Sequence, residues 1–140
     1  MRAVKDPKGA NLDRVQVVKS WLDEGGHSHE QIFNVAWSGQ RSLDNRGQLP
    51  PVGDTVDRET GLYTNTLGSI ELSTLWQDPG FDMNQRAFYY VRVLQIPTPR
   101  HSLYDAVAAK EINHGRVQIP SEGPAIIQER AYTSPIWYTP

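Results

Sequence analysis

The chain has 140 residues, of which 38% are hydrophobic and 21% charged, a composition suited to one globular domain that buries roughly two-thirds of its surface on folding. Its net charge is −2 and its basic residues are scattered without a run, so bulk electrostatics favour neither nucleic acid nor an acidic membrane as a partner. The lack of cysteine excludes disulfides and thiolate metal sites, no apolar stretch approaches the roughly 18 residues of a membrane span, and the first residues have no signal-peptide core; the compartment stays unassigned.

Ala3-Val4 reads as the tail of a strand, cut off by the turn residues Asp6-Pro7-Lys8-Gly9. Leu12 to Leu22 alternates, with Val15, Val17, Lys19 and Trp21 on one side and Gln16, Val18, Ser20 and Leu22 on the other, which predicts a strand. Asp23-Glu24-Gly25-Gly26 predicts a turn, and Gln31 to Ser38 a second strand completing a hairpin. Gly39 to Gly61 is polar and carries Pro50-Pro51, so it reads as a long loop with one short strand near Thr55-Val56. A loop of that length is expected either to be functional or to pack against something outside the chain.

Leu62 to Trp76 has strand pattern and ends at Asp78-Pro79-Gly80. Arg86 to Ile96 carries apolar residues on both sides, which predicts a central strand buried on both faces. Arg92 on that strand then needs a partner, for which Glu71 is expected. Ser102 to Glu111 predicts a helix with Ser102 as N-cap. Ala125 to Tyr132 and Pro135 to Tyr138 predict the last strands. The expected fold is therefore mainly β: an antiparallel β-sandwich of about six to seven strands with one short helix near 102–111, a single β-rich domain over 1–140.

Four stretches could carry chemistry. In HSHE, His27 and His29 are two apart and could share a metal from one side of a strand, yet they follow Gly25-Gly26 at a hairpin tip, where solvated histidines are ordinary. In DPGFDMN, Asp78, Asp82 and Asn84 offer oxygen ligands for calcium, but the spacing fits no EF-hand and turn chemistry explains the aspartates. In IPTPRHSLYDA, Arg100 stands before a helix N-terminus, a pairing suited to an anion; the alternative is that Arg100 pairs with Asp105 or Glu129. In QERAYTSPIW, Gln128, Arg130, Tyr132 and Ser134 alternate with Glu129, Ala131 and Thr133, so buried polar groups there need partners. Arg100, Asp105, Glu129 and Arg130 are the candidate ligand-binding residues, and no catalytic set or cofactor is expected in this chain.

The blocks KDPKGANLDRVQVVKSW, VAWSGQR, LPPVGDTVD, WQDPGFDMNQRAFYYVRVLQIPTPR and IQERAYTSPIWYTP resemble the C-terminal part of the bacterial family catalogued as domain of unknown function 3604, over essentially the whole chain. The resemblance implies a parent several times longer, whose larger N-terminal part looks like a metal-dependent phosphoesterase barrel of the polymerase-and-histidinol-phosphatase type. It places the metal ligands in that part and makes the Pro97–Asp105 segment a family hallmark. The expected function is a non-catalytic C-terminal accessory region of a larger hydrolase-like protein. The alternatives are a ligand-binding or assembly module using the 97–105 loop as an anion site, and a stand-alone metalloenzyme using His27 and His29. The expected partners are the N-terminal region of the parent and a second copy in a homodimer, joined through the Leu12–Leu22 strand or the Gly39–Gly61 loop.

Overall fold

The computed structural model describes residues 1–119 and 123–140, and within them the chain forms nine strands and one helix. In chain order these are β1 (Arg2–Val4), β2 (Leu12–Leu22), β3 (Ser28–Trp37), β4 (Glu71–Ser73), β5 (Ala87–Gln95), β6 (Thr98–Pro99), α1 (His101–Ala108), β7 (Ile126–Ile127), β8 (Arg130–Tyr132) and β9 (Ile136–Tyr138). The fold is mainly β and its pairings are antiparallel, as the alternating segments predict. The main sheet has the order β3-β2-β5-β8, with β9 sharing the β5 edge with β8, while β1-β4 and β6-β7 form two small ribbons.

The β1-β4 ribbon lies across one face of the main sheet and makes the second, smaller layer. Leu72 of β4 joins Leu12 and Val15 of β2 in the core, with Ala3, Val91 and Val93 packed around them. Beyond the end of β5, Ile96 and Leu103 are fully buried, each contributing about 1.5–3 kcal/mol by leaving water. Gly68 permits this packing. Its φ is +81°, and a Cβ there would lie 2.6 Å from the Asn11 Cβ and 2.7 Å from the Ile96 Cγ2. On the other face of the main sheet Trp137, Tyr132 and Ile32 stand 70%, 55% and 42% exposed, whereas Val18 is fully buried and the 39–61 loop reaches over one end, where Asn34 Nδ2 donates to the Gly47 carbonyl.

Several expectations are corrected by these pairings. β5 is central, between β2 and the β8/β9 edge, but it is not buried on both faces: Phe88, Tyr90 and Arg92 are only half-buried. Arg92 does not meet Glu71: its Nε donates to the Gln16 Oε1 at 2.8 Å on the neighbouring strand, while Glu71 is taken by Arg2 across the ribbon at 2.7 Å. In the expected Leu62–Trp76 strand only Glu71–Ser73 forms a strand, with Ser69 adding an isolated bridge to Leu12 just after the left-handed Gly68. Thr55-Val56 is not a strand; the Thr55 hydroxyl donates to the Thr64 carbonyl and accepts from the Thr64 N–H, closing the loop by side chain. The helix begins one residue early, with Arg100 as N-cap, and the Ser102 hydroxyl donates instead to the Pro124 carbonyl. Ala125–Tyr132 is split into β7 and β8, with the Gln128 side chain turned inward between them.

The Gly39–Gly61 loop has a packing surface within the chain. Its anchor is Asp13, whose side chain is wholly buried. The Asp13 carboxylate accepts from Arg14 Nε at 2.9 Å, Arg41 Nη2 at 2.7 Å and Gln128 Nε2 at 2.9 Å. Arg41 also donates to the Ser38 and Pro50 carbonyls, the Trp37 indole donates to the Arg41 carbonyl, and Leu49 and Val56 are buried. One carboxylate thus fastens the start of β2, the loop and the segment before β8. The Leu12–Leu22 strand, paired on both sides, offers no open edge to a second copy.

Candidate functional site

The hairpin turn places His27 and His29 around one carboxylate. Asp23 Oδ1 lies 3.2 Å from His27 Nδ1 and Asp23 Oδ2 lies 2.9 Å from His29 Nε2, while the His29 ring stacks on Trp21 at 5.4 Å. The hydrogen bond with His29, then that from the His27 backbone N–H, holds the Asp23 carboxyl down to about 2. Among the described residues no group of three or more His, Cys, Asp or Glu side chains is arranged to hold a metal ion.

The other candidates fall in two places. Arg100 and Asp105 line a shallow pocket at the start of α1, together with His101, Ser102 and Gly123. Glu129 and Arg130 are exposed and line a different hollow, beside Lys5 and Asp6 near β1. Asp82 caps the Asn84 N–H in its own turn, so it and Asp78 serve separate ends of the DPGFDMN loop.

A larger cleft, about 460 Å³, opens on the covered face of the main sheet where the ribbon ends. Val17 from β2 and Tyr89 and Val91 from β5 form its floor, and Trp76, Phe81 and Ile136 form its walls. The floor follows from alternation, which sends Val15, Val17 and Lys19 to one side of β2 opposite Val93, Val91 and Tyr89. Trp76 is braced between the rings of Phe33 at 5.1 Å and Tyr89 at 6.5 Å.

One charged pair stands in the wall. Lys19 Nζ donates to Asp78 Oδ2 at 2.6 Å and to the Gly80 carbonyl at 2.7 Å, with 5% and 6% of the Lys19 and Asp78 side chains exposed. The ammonium also lies over the rings of Trp21 and Tyr89, at 5.2 and 5.9 Å. Burial pushes the Asp78 carboxyl up, but hydrogen bonds from Lys19, Tyr89 and the Gly80 N–H outweigh it and hold the group below its ordinary value. Burial and the bond to Asp78 together push the Tyr89 hydroxyl above its ordinary range. Every polar group here has a partner within the chain, so the arrangement positions the Asp78-Pro79-Gly80 turn and shapes the cleft; it does not present a free acid, base or nucleophile.

This cleft was not legible as a site, although one signal was present: Lys19 interrupts the apolar side of an otherwise clean strand pattern, and a cation there requires a buried acid. No curated protein and no solved structure matches the chain. The family model described as Protein of unknown function (DUF3604) matches residues 1–140, and the chain belongs to that family.

Proposed function

We propose that this chain is a non-catalytic accessory region of a larger, hydrolase-like protein, in which a separate part, resembling a metal-dependent phosphoesterase barrel, carries the reactive groups. The observation that supports the reading is the cleft beside Trp76: it is a concave, apolar surface of ligand-site size whose charged neighbours, Lys19 and Asp78, are consumed by each other. Such a surface suits packing against apolar side chains of a neighbouring region, and chemistry on a polar substrate would require groups free to react.

The purified chain is assayed against phosphate and sulfate monoesters with magnesium, manganese or zinc. The expected result is turnover no faster than metal ion alone. Metal-dependent turnover that disappears in His27→Ala or His29→Ala would overturn the reading in favour of a stand-alone metalloenzyme. In parallel, the reading frame upstream of the Met1 codon is expected to encode His- and Asp-rich metal motifs. Co-expressed with this chain, that region should co-purify with it, and Ile136→Asp in the cleft wall should weaken the association. A frame without such motifs, or co-purification indifferent to Ile136→Asp, counts against the proposal.

A further inference from the structure

We infer that the outer edge of β3 pairs with the same edge of a second copy, joining two main sheets into one. Strand β3 ends the order β3-β2-β5-β8, and β2 is its one strand partner. The hairpin fixes which backbone groups it leaves over. The Asp23 N–H donates to the His27 carbonyl at 3.0 Å, which makes these two the closing hydrogen-bonded pair, and antiparallel pairing alternates from there. His29, Gln31 and Phe33 therefore turn their N–H and C=O groups toward Trp21, Lys19 and Val17, while Ser28, Glu30, Ile32 and Asn34 turn theirs outward. The Leu22 N–H gives the same phase, since it donates to the Arg86 carbonyl at 3.3 Å on the far side of β2. Among the described residues no other backbone group bonds to the outward set. Residues 28–32 are exposed, so water satisfies these groups in the single chain, but a row of this kind is a template for another strand.

The opposite edge of the sheet is guarded. There β8 and β9 have three residues each, and Thr133-Ser134-Pro135 breaks the row between them. The Thr133 hydroxyl accepts from the Val91 N–H at 3.0 Å in place of a carbonyl, and Pro135 has no N–H to offer. Strand β3 has ten residues with no proline, lysine or arginine and a single carboxylate, Glu30.

The residues along this edge select a second copy as its occupant. A two-fold axis centred on Ile32 sets Ile32 against the partner's Ile32 and Glu30 against the partner's Asn34; on the other face it sets Gln31 against the partner's Phe33. Ile32 is 42% exposed and gains an apolar neighbour. Asn34 Nδ2 spends one N–H on the Gly47 carbonyl at 3.1 Å and keeps the second for a carboxylate. Leu75 is 98% exposed and adjoins in sequence Trp76, whose ring packs on Phe33 at 5.1 Å, so it adds apolar surface beside the junction. An axis centred on Glu30 would oppose two carboxylates, and one centred on Gln31 would set Ile32 against a carboxylate, so side-chain complementarity picks the Ile32 register. Such a contact closes on itself and leaves only the guarded edges outside. The inference stands apart from the accessory role, whose test reads the cleft wall at Ile136.

The chain contains no cysteine, so single cysteines report the register directly. Opposed Cα atoms in a hydrogen-bonded antiparallel pair lie about 5.5 Å apart, within disulfide range. Ile32→Cys is expected to give a covalent dimer on mild oxidation, and Glu30→Cys and Gln31→Cys to give little. Light scattering over a concentration series up to millimolar should show the unmodified chain passing from monomer to dimer. Ile32→Lys sets two cations against each other and should weaken that association about tenfold or more, with the monomer's melting temperature unchanged. Ile136→Asp should leave it intact. A chain that stays monomeric throughout would overturn the inference, as would a dimer indifferent to Ile32→Lys. Cross-linking stronger through Glu30→Cys or Gln31→Cys than through Ile32→Cys would overturn the register.

Discussion

Two carboxylates bracket strand β2, and they are built alike. Asp13 near its start gathers partners from separate parts of the chain, and Asp23 just beyond its end gathers two from its own hairpin. They differ in what surrounds them. Asp13 is wholly buried and faces two guanidinium groups, whereas the Asp23 side chain is 36% exposed and faces two imidazoles. The same pattern of bonds therefore has two meanings. At Asp13 water cannot replace a lost partner, so the bonds hold the loop and the last strands in place; at Asp23 water can, so the bonds only order a turn.

The largest expected effect comes from removing the buried carboxylate. Asp13→Ala leaves Arg14, Arg41 and Gln128 without their acceptor, and a loss of about 3–5 kcal/mol in urea unfolding is expected, together with protease sensitivity in the Gly39–Gly61 loop. A loss under about 1 kcal/mol would remove the distinction drawn here.

Lys19→Ala should follow, at about 2–4 kcal/mol, because it strands the buried Asp78 carboxylate; the double change Lys19→Met with Asp78→Leu should recover most of that loss. If the double variant is no better than the single one, the pair supplies more than mutual neutralisation. Arg92→Ala removes a half-buried bond to Gln16 and should cost about 0.5–1.5 kcal/mol, read from the shift in chemical-denaturation midpoint. A larger value would mean that the open sheet face is drier than its exposure implies.

The smallest effect is assigned to Asp23, where Asp23→Asn should leave the melting temperature near neutral pH unchanged. Its signature is in acid. The folded carboxyl is held near 2, below its ordinary 3.8, so its contribution to the hairpin is complete above that ordinary value and is lost as pH falls toward about 2. Amide resonances of Gly25 and Gly26 should report this transition, and Asp23→Asn should abolish it. An unaltered titration of those amides in the variant would assign the transition to another group.

The long strands were legible because their side chains follow one period for many residues. The Leu12–Leu22 boundaries match the alternation, and β5 departs from the expected strand by one residue at each end. The ribbons were legible only in part: Ala3-Val4 was read as strand and falls in β1, but strands of two or three residues carry too few side chains to show a period, so the bounds of β4 and β7 were overdrawn and β6 was missed. The long loop was misread for a different reason. Its order comes from side chains bonding to backbone, as at Arg41 and Thr55, and such bonds leave no repeating pattern. The bond from Arg92 to Gln16 depended on register, which placed an amide opposite the guanidinium where the sequence suggested a glutamate. Among the candidate residues, the spacing of His27 and His29 did predict proximity, but their acceptor Asp23 belongs to the turn and was read there only as a turn former.

The reach of the Asp13 bonds has a consequence in time. The carboxylate takes its last partner, Gln128, 115 positions further along the chain, and β2 gains its second neighbour only when β5 has been made. During synthesis the hairpin of β2 and β3 can form early and Asp13 can meet Arg14 and Arg41, but the carboxylate lacks Gln128 and β2 keeps one bare edge until those later segments have emerged. Closure of such distant pairings is slow relative to local contacts. In the interval the nascent hairpin is the segment most exposed to mispairing, and Gln128 is the residue whose arrival completes the coordination of Asp13.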